Sequence, residues 1–372
     1  MISRATRRAP RRTALTVAAA TGAALTLSGC VPNAGTGEAS SLLTVTGTDT
    51  SCEVSAPTAA SGPITFSITN AGEKVTEFYV LGANQLSIIG EVENIAPGTT
   101  RELTIVADPG DYFTECKPGM VGAGIGTAKF SVTGEQVALP ADEQAAIDAA
   151  ITSYVAYVKS QVEELQPQVA EFVAAYAAGD DETARRLFPL ARVSYERIEP
   201  TAEQFGDLDP QIDYRKPGAE AEGIEFTGFH RIEMDLWIDA ARAEYPGETI
   251  APLDPAGRAT LGDKLIASVA ELRALVSSDD FTLTLSDITN GAIALLDEVS
   301  APDGKLPGEE NEFAHTDLYD FRANVEGAQV AFETVRKIAE GQGAEGAELV
   351  EEIDRQFAAM FALLDEYGSY EA

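Results

Sequence analysis

The chain has 372 residues, 45% of them hydrophobic, which suits packed cores in two domains or three. Sixty acids against 26 bases leave a formal net charge of −34; this disfavours nucleic acid and anionic surfaces as partners and favours cationic ligands, although a solvated acidic surface has the same composition. With two histidines in all, a histidine-rich zinc centre cannot be built.

Residues 1–29 belong to export and not to the fold. Arg4, Arg7, Arg8, Arg11 and Arg12 precede a small, apolar run over 14–27 that is too short for a permanent transmembrane helix. The run ends at Leu27-Ser28-Gly29-Cys30, which resembles the lipobox of bacterial lipoproteins, whose cysteine is acylated after cleavage; the paired arginines suit the twin-arginine route. Cleavage before Cys30 removes five bases and no acid, so 21 bases against 60 acids leave −39. Residues 30–41, rich in Gly, Ala, Ser and Thr, read as a flexible tether.

Residues 42–134 read as short strands. Ile64, Phe66 and Ile68 alternate with polar residues, Phe78 and Val80 repeat the pattern, and Phe130 and Val132 close it, with turns at Asn70-Ala71-Gly72, Ala96-Pro97-Gly98 and Asp108-Pro109-Gly110. A β-sandwich follows. Gly122, Gly124 and Gly126 precede a strand and not a helix, so they form a loop and no phosphate cradle. Cys52 and Cys116 either pair in a disulfide, as two exported thiols do, or lend sulfur to a metal. Cys116 and Met120 lie four residues apart between strands, as in the ligand loop of cupredoxins. The segment has no histidine, which excludes a blue-copper centre and leaves Glu77, Asp108, Asp111 and Glu115 as oxygen donors.

After a linker over 133–140 the turns thin out, and helical spacing predicts helices at 141–178, 182–204, 223–244, 256–277, 286–299, 316–341 and 344–367, hence one or two bundles. Within 223–237, GIEFTGFHRIEMDLW, Phe229, Ile232 and Leu236 share an apolar face. His230, Glu233 and Trp237 form a half-buried stripe beside it. An imidazole and a carboxylate at i, i+3 make half of a metal site, or else a boundary histidine held by its neighbour. Glu196 and Glu199 repeat the spacing, Asp213 lies in a connection at a bundle end, Glu298 ends a helix, and His315 stands at a helix start. Their coincidence with HxxE favours a metal site.

GFHRIEMDLW, YERIEP, FGDLDPQID and HTDLYDFRANVEGA together resemble the imelysin family across essentially the whole exported chain. The resemblance implies a cupredoxin-like β-sandwich followed by an all-α domain, 140–372, of two helical bundles. It also implies an exported iron-binding component of a tripartite uptake system, working beside a haem peroxidase and a membrane iron permease. The matching ligands are His230, Glu233, Glu196, Glu199 and Asp213, with Glu298. In the sandwich, Cys52, Glu77 and Cys116 match positions for copper or iron. The lipobox departs from soluble members and implies an anchor on the outer membrane face of a Gram-positive-type envelope.

The family name also carries a metallopeptidase label. Zinc peptidases use H-E-x-x-H or H-x-x-E-H, and here His230-Arg231-Ile232-Glu233 is followed by Met234. One histidine among several carboxylates suits iron or another hard cation, which favours binding over catalysis. The lipobox generates the first prediction: Cys30→Ala moves the protein from the membrane to the soluble fraction. Fractionation with lipid labelling checks it, and a wild type that carries no lipid would refute the anchor.

Overall fold

A computed structural model describes residues 41–370 except 84, 86–87, 121–123, 136–139, 280, 301–304, 306–309 and 369. The signal, Cys30, the tether up to residue 40, Gly122 and four linker residues lie outside the described residues.

Among the described residues nine strands form the N-terminal part: β1 (Ser41–Gly47), β2 (Cys52–Val54), β3 (Thr58–Ala60), β4 (Gly62–Asn70), β5 (Thr76–Leu81), β6 (Ile88–Ile95), β7 (Thr100–Ala107), β8 (Gly110–Pro118) and β9 (Ile125–Thr133). They make two sheets, ordered β2-β1-β4-β7 and β3-β9-β8-β5-β6, antiparallel apart from the β1/β4 and β3/β9 pairs. The alternating residues of β4 point inward, where Phe66 meets Phe78 and Phe130 of the other sheet at 5.3 and 5.5 Å between ring centroids. The two sheets thus close over one apolar core.

Strand β5 is buried on both faces. Phe78 and Val80 face the core, so by the two-residue period Glu77 and Tyr79 face the other way. That outer face is turned to the helical part: Asn290 donates to the Ile89 carbonyl of the neighbouring β6, and Arg101 of the other sheet pairs with Asp297 at 2.5 Å.

The helical part contains α1 (Ala141–Ala177), α2 (Asp181–Glu196), a 3-10 helix (Glu199–Phe205), α3 (Leu208–Asp213), α4 (Lys216–Glu222), α5 (Gly228–Leu236), α6 (Ile238–Glu244), α7 (Pro255–Ser277), α8 (Leu285–Ser300), α9 (Asp317–Glu340) and α10 (Ala344–Asp365). Helix α1 buries Tyr154, Val158, Val162, Leu165, Val169, Phe172, Val173 and Tyr176, a stripe at three- and four-residue spacing, against α2 and α7. Phe172, Phe188 and Phe229 bring α1, α2 and α5 together, while α9 packs on α1 and α2 and carries α8 and α10. Among the described residues no helix is long and apolar enough to cross a membrane.

Two expected helices are broken. The helix predicted over 182–204 stops at Glu196 and resumes as the 3-10 helix, because Pro200 has no N–H to continue the α ladder. The helix predicted over 223–244 begins only at Gly228, after an extended Thr227, and breaks again at Trp237. Gly228 adopts φ +76°, and a Cβ there would collide with the Ile212 carbonyl. Only glycine lets α3 and α5 come this close.

Cys52 and Cys116 form a disulfide, S–S 2.05 Å, that ties one sheet to the other. Glu77 does not join them. Phe78 pairs with Cys116 on the core side and Glu77 lies on the opposite face, so Cys52, Glu77 and Cys116 make no common metal site. In this oxidised form the two sulfurs offer no thiolate to copper or iron. Native protein is therefore expected to show no reactive thiol from this pair, and two after denaturation with reductant. Replacing both cysteines by serine should cost about 4 kcal/mol, since the bridge spans 64 residues. Thiol counting and denaturant titration check both outcomes.

Candidate metal centre

The segment before α9 covers α5, so two members of the stripe are interior and not half-buried, His230 at 2% exposed and Glu233 at 0%, while Trp237 is half-buried as expected. Glu233 Oε1 accepts from the backbone N–H groups of Phe313 and Ala314 at 2.8 and 2.7 Å, and Oε2 lies 2.9 Å from His230 Nδ1. Both oxygens are engaged. Glu233, expected as a ligand, is hydrogen-bonded through both oxygens and orients the imidazole.

The other ring nitrogen, His230 Nε2, is buried and has no hydrogen-bond partner among the described residues. It points at Asp213 Oδ1, 3.6 Å away, and Glu310 Oε1, 3.9 Å away. These gaps exceed a hydrogen bond and fit two donors that each sit about 2 Å from a shared ion. Asp213 ends α3, and the close approach at Gly228 brings α3 beside α5. Asp213, His230 and Glu310 converge within 4.8 Å, and so do Glu196, Glu310 and Asp320.

Glu199 and Glu298 belong to neither group. Glu196 ends α2 and Glu199 begins the 3-10 helix, so they do not share one helical face as expected. Asn324 of α9 bridges them, its Nδ2 donating to Glu196 Oε2 at 2.9 Å and Glu199 Oε2 at 2.5 Å. Lys305 pairs with Glu199, with Glu310 Oε2 at 3.3 Å and with Glu298 Oε2 at 3.9 Å. Asp213, Glu199, Glu298, Lys305 and Glu310 all line a cavity of about 1060 Å³ between the sandwich and the helices, which Glu77, Glu91 and Glu93 line from the sandwich side.

Sequence reasoning missed Arg192, Glu310 and Asp320. Arg192 is fully buried and pairs with Glu196, Asp213 and Glu310, with Asp320 Oδ1 3.5 Å from its Nε. Its i, i+4 spacing to Glu196 was a readable signal; Glu310, in an acidic stretch without periodicity, offered none.

Burial sets the protonation pattern. It pushes Asp213 up to about 7 and Asp320 to about 8, with Arg192 pulling both back. Glu233 rises to about 8 against the pull of its two backbone donors. Glu310 behaves oppositely: burial pushes it up, but Lys305, Arg215 and Arg192 outweigh that and hold it well below the usual range. Burial, with Arg192 nearby, keeps His230 neutral. A neutral imidazole with oxygen donors suits iron and other hard or borderline cations.

The imelysin family model matches residues 150–372. The iron uptake system component EfeO of Escherichia coli O157:H7, that of Escherichia coli K12 and that of Shigella flexneri are each 35% identical to this chain over 327 residues. Those matches cover 87% of this chain and 80% of each relative.

Raised carboxylates make the fold pH-sensitive when no cation is bound. Asp213 and Asp320 bind protons more tightly folded than unfolded, so their contribution is complete below about 4, the unfolded value. It is lost as pH rises to about 7 and 8. Melting temperature of chelator-treated protein should therefore fall between pH 5 and 8, and Asp320→Asn should flatten that slope. Thermal melts across this range check the sign.

Proposed function

The chain belongs to the imelysin family and is of EfeO type, and from that premise we propose that it is an exported component of iron uptake that captures iron at His230 and its facing carboxylates. The observation that carries this reading is the buried, unpartnered His230 Nε2 aimed at Asp213 and Glu310. A lipid at Cys30 would hold the protein on the outer face of the membrane, where it would work beside a haem peroxidase and pass iron to a membrane permease. The cavity supports capture, since acids outnumber bases along its lining and an excess of one sign raises the local concentration of cations.

Glu233 controls the ligand nitrogen. Ionised, it only accepts, so Nδ1 carries the imidazole proton and Nε2 presents its lone pair. Below about 8 a cation at Nε2 must expel the Glu233 proton, and Asp213 gives up its own near 7. Binding therefore tightens as pH rises.

Iron titration by calorimetry of the whole exported chain tests the reading. His230→Ala removes the nitrogen donor and should weaken binding by 100-fold or so. Glu233→Gln keeps an acceptor for Phe313 and Ala314 but turns an N–H toward Nδ1, which forces the proton onto Nε2; a loss of about 10- to 100-fold is expected. Wild-type affinity in His230→Ala would place the iron elsewhere.

A further inference from the structure

Arg192 holds the same two atoms that face His230. Asp213 Oδ1, 3.6 Å from Nε2, accepts from Arg192 Nη1, and Glu310 Oε1, 3.9 Å from Nε2, accepts from Nη2 at 2.9 Å. The guanidinium also bonds Glu196 and reaches Asp320, and it rests on the rings of Phe188 and Phe229, 5.8 and 5.4 Å from their centroids. It thus touches every carboxylate of both donor groups, which have Glu310 in common.

A cation on Nε2 must share or take the oxygens that Arg192 occupies. We infer that Arg192 is a built-in counter-cation: it holds the ligand oxygens of Asp213 and Glu310 between loads, withdraws onto Glu196 and Asp320 when a metal cation arrives, and returns as that cation leaves. This rests on the capture site proposed above and adds a release device to it. Two features fit the withdrawn position. Glu196 lies on the same helix one turn away, and Asp320 Oδ1 has no hydrogen-bond partner among the described residues and faces Arg192 Nε, which also lacks one. The two rings hold the guanidinium by cation–π attraction, which does not fix which carboxylate oxygens it bonds. Competition of this kind weakens binding, which a carrier that must give up its cargo requires.

The test compares the whole exported chain with Arg192→Met, whose length fits the stack on Phe188 and Phe229, and with Arg192→Lys, which keeps one charge but cannot span four carboxylates. Ferrous ion without oxygen and Mn²⁺ are the probes. The readouts are affinity, the rate of release to a chelator, and melting temperature with and without Mn²⁺. Arg192→Met should bind at least 10-fold tighter, release correspondingly slower, and melt lower than wild type unless Mn²⁺ is present; Arg192→Lys should lie between. Recovery of folded Arg192→Met only with Mn²⁺ also supports the inference. If it does not fold even then, Arg192→Lys decides, and wild-type affinity and release in that variant overturn the inference. Equal or weaker binding in both variants, with wild-type binding still lost in His230→Ala, overturns the counter-cation and leaves the site standing. Binding indifferent to His230→Ala removes the site and the inference together.

Discussion

One buried guanidinium faces four carboxylates, three of them buried and the fourth, Asp213, partly exposed to the cavity, and the helical part is arranged around that imbalance. Like charges about 4 Å apart repel by roughly 4 kcal/mol even at an effective dielectric of about 20. Arg192 alone cannot offset Glu196, Asp213, Glu310 and Asp320 if all four are ionised. The protein meets the excess by retaining protons on some members and by adding Lys305 and Arg215 beside Glu310. An interior built for stability alone would replace such a group with apolar side chains, which often pack at no loss. Its presence here is what an interior open to a further cation requires.

The backbone serves that constraint at specific points. Gly228 lets the end of α3 touch the start of α5, which sets Asp213 against His230. The turn at Phe313 and Ala314 clamps Glu233, so the imidazole ring cannot rotate away. Asn324 ties Glu196 to Glu199 across the break that Pro200 imposes. The sandwich contributes a wall: its outer face, with Glu77 and Tyr79, closes the cavity onto which Asp213 and Glu310 open.

Much of the scaffold was legible because it depends on short-range periodicity. Ile64, Phe66 and Ile68 announced a strand, and Phe229, Ile232 and Leu236 a helix; all six are fully buried. HxxE was legible for the same reason, but the division of labour inside it was not. That His230 faces the carboxylates while Glu233 faces the backbone depends on residues 313 and 314, some 80 positions away. Arg192 and Glu310 are 118 residues apart, and no pattern in one chain marks such a pair. The helix breaks at Pro200 and Gly228 were visible as residue types and were overridden by the apolar period around them. Glu77 was grouped with the cysteines by family resemblance; strand alternation, which places it on the other face from Cys116, argued against that grouping from the start.

The carboxylates of the centre divide into two kinds, and the division follows from their neighbours. Asp213 and Asp320 rise to about 7 and 8, because burial outweighs one shared guanidinium. Glu310 stays ionised, because Lys305, Arg215 and Arg192 together outweigh the same burial. Environments that push like groups apart assign them different roles. Glu310 lines the cavity, belongs to both donor groups, and is held in its ionised form by its basic neighbours. A cation at the centre proposed above would meet one ionised carboxylate, held by Arg192 and Lys305, beside a neutral imidazole, whereas Asp213 and Asp320 would join by giving up protons. Protons retained on Asp213 and Asp320 thus offset part of the negative charge of the centre, and a cation bound there would take their place.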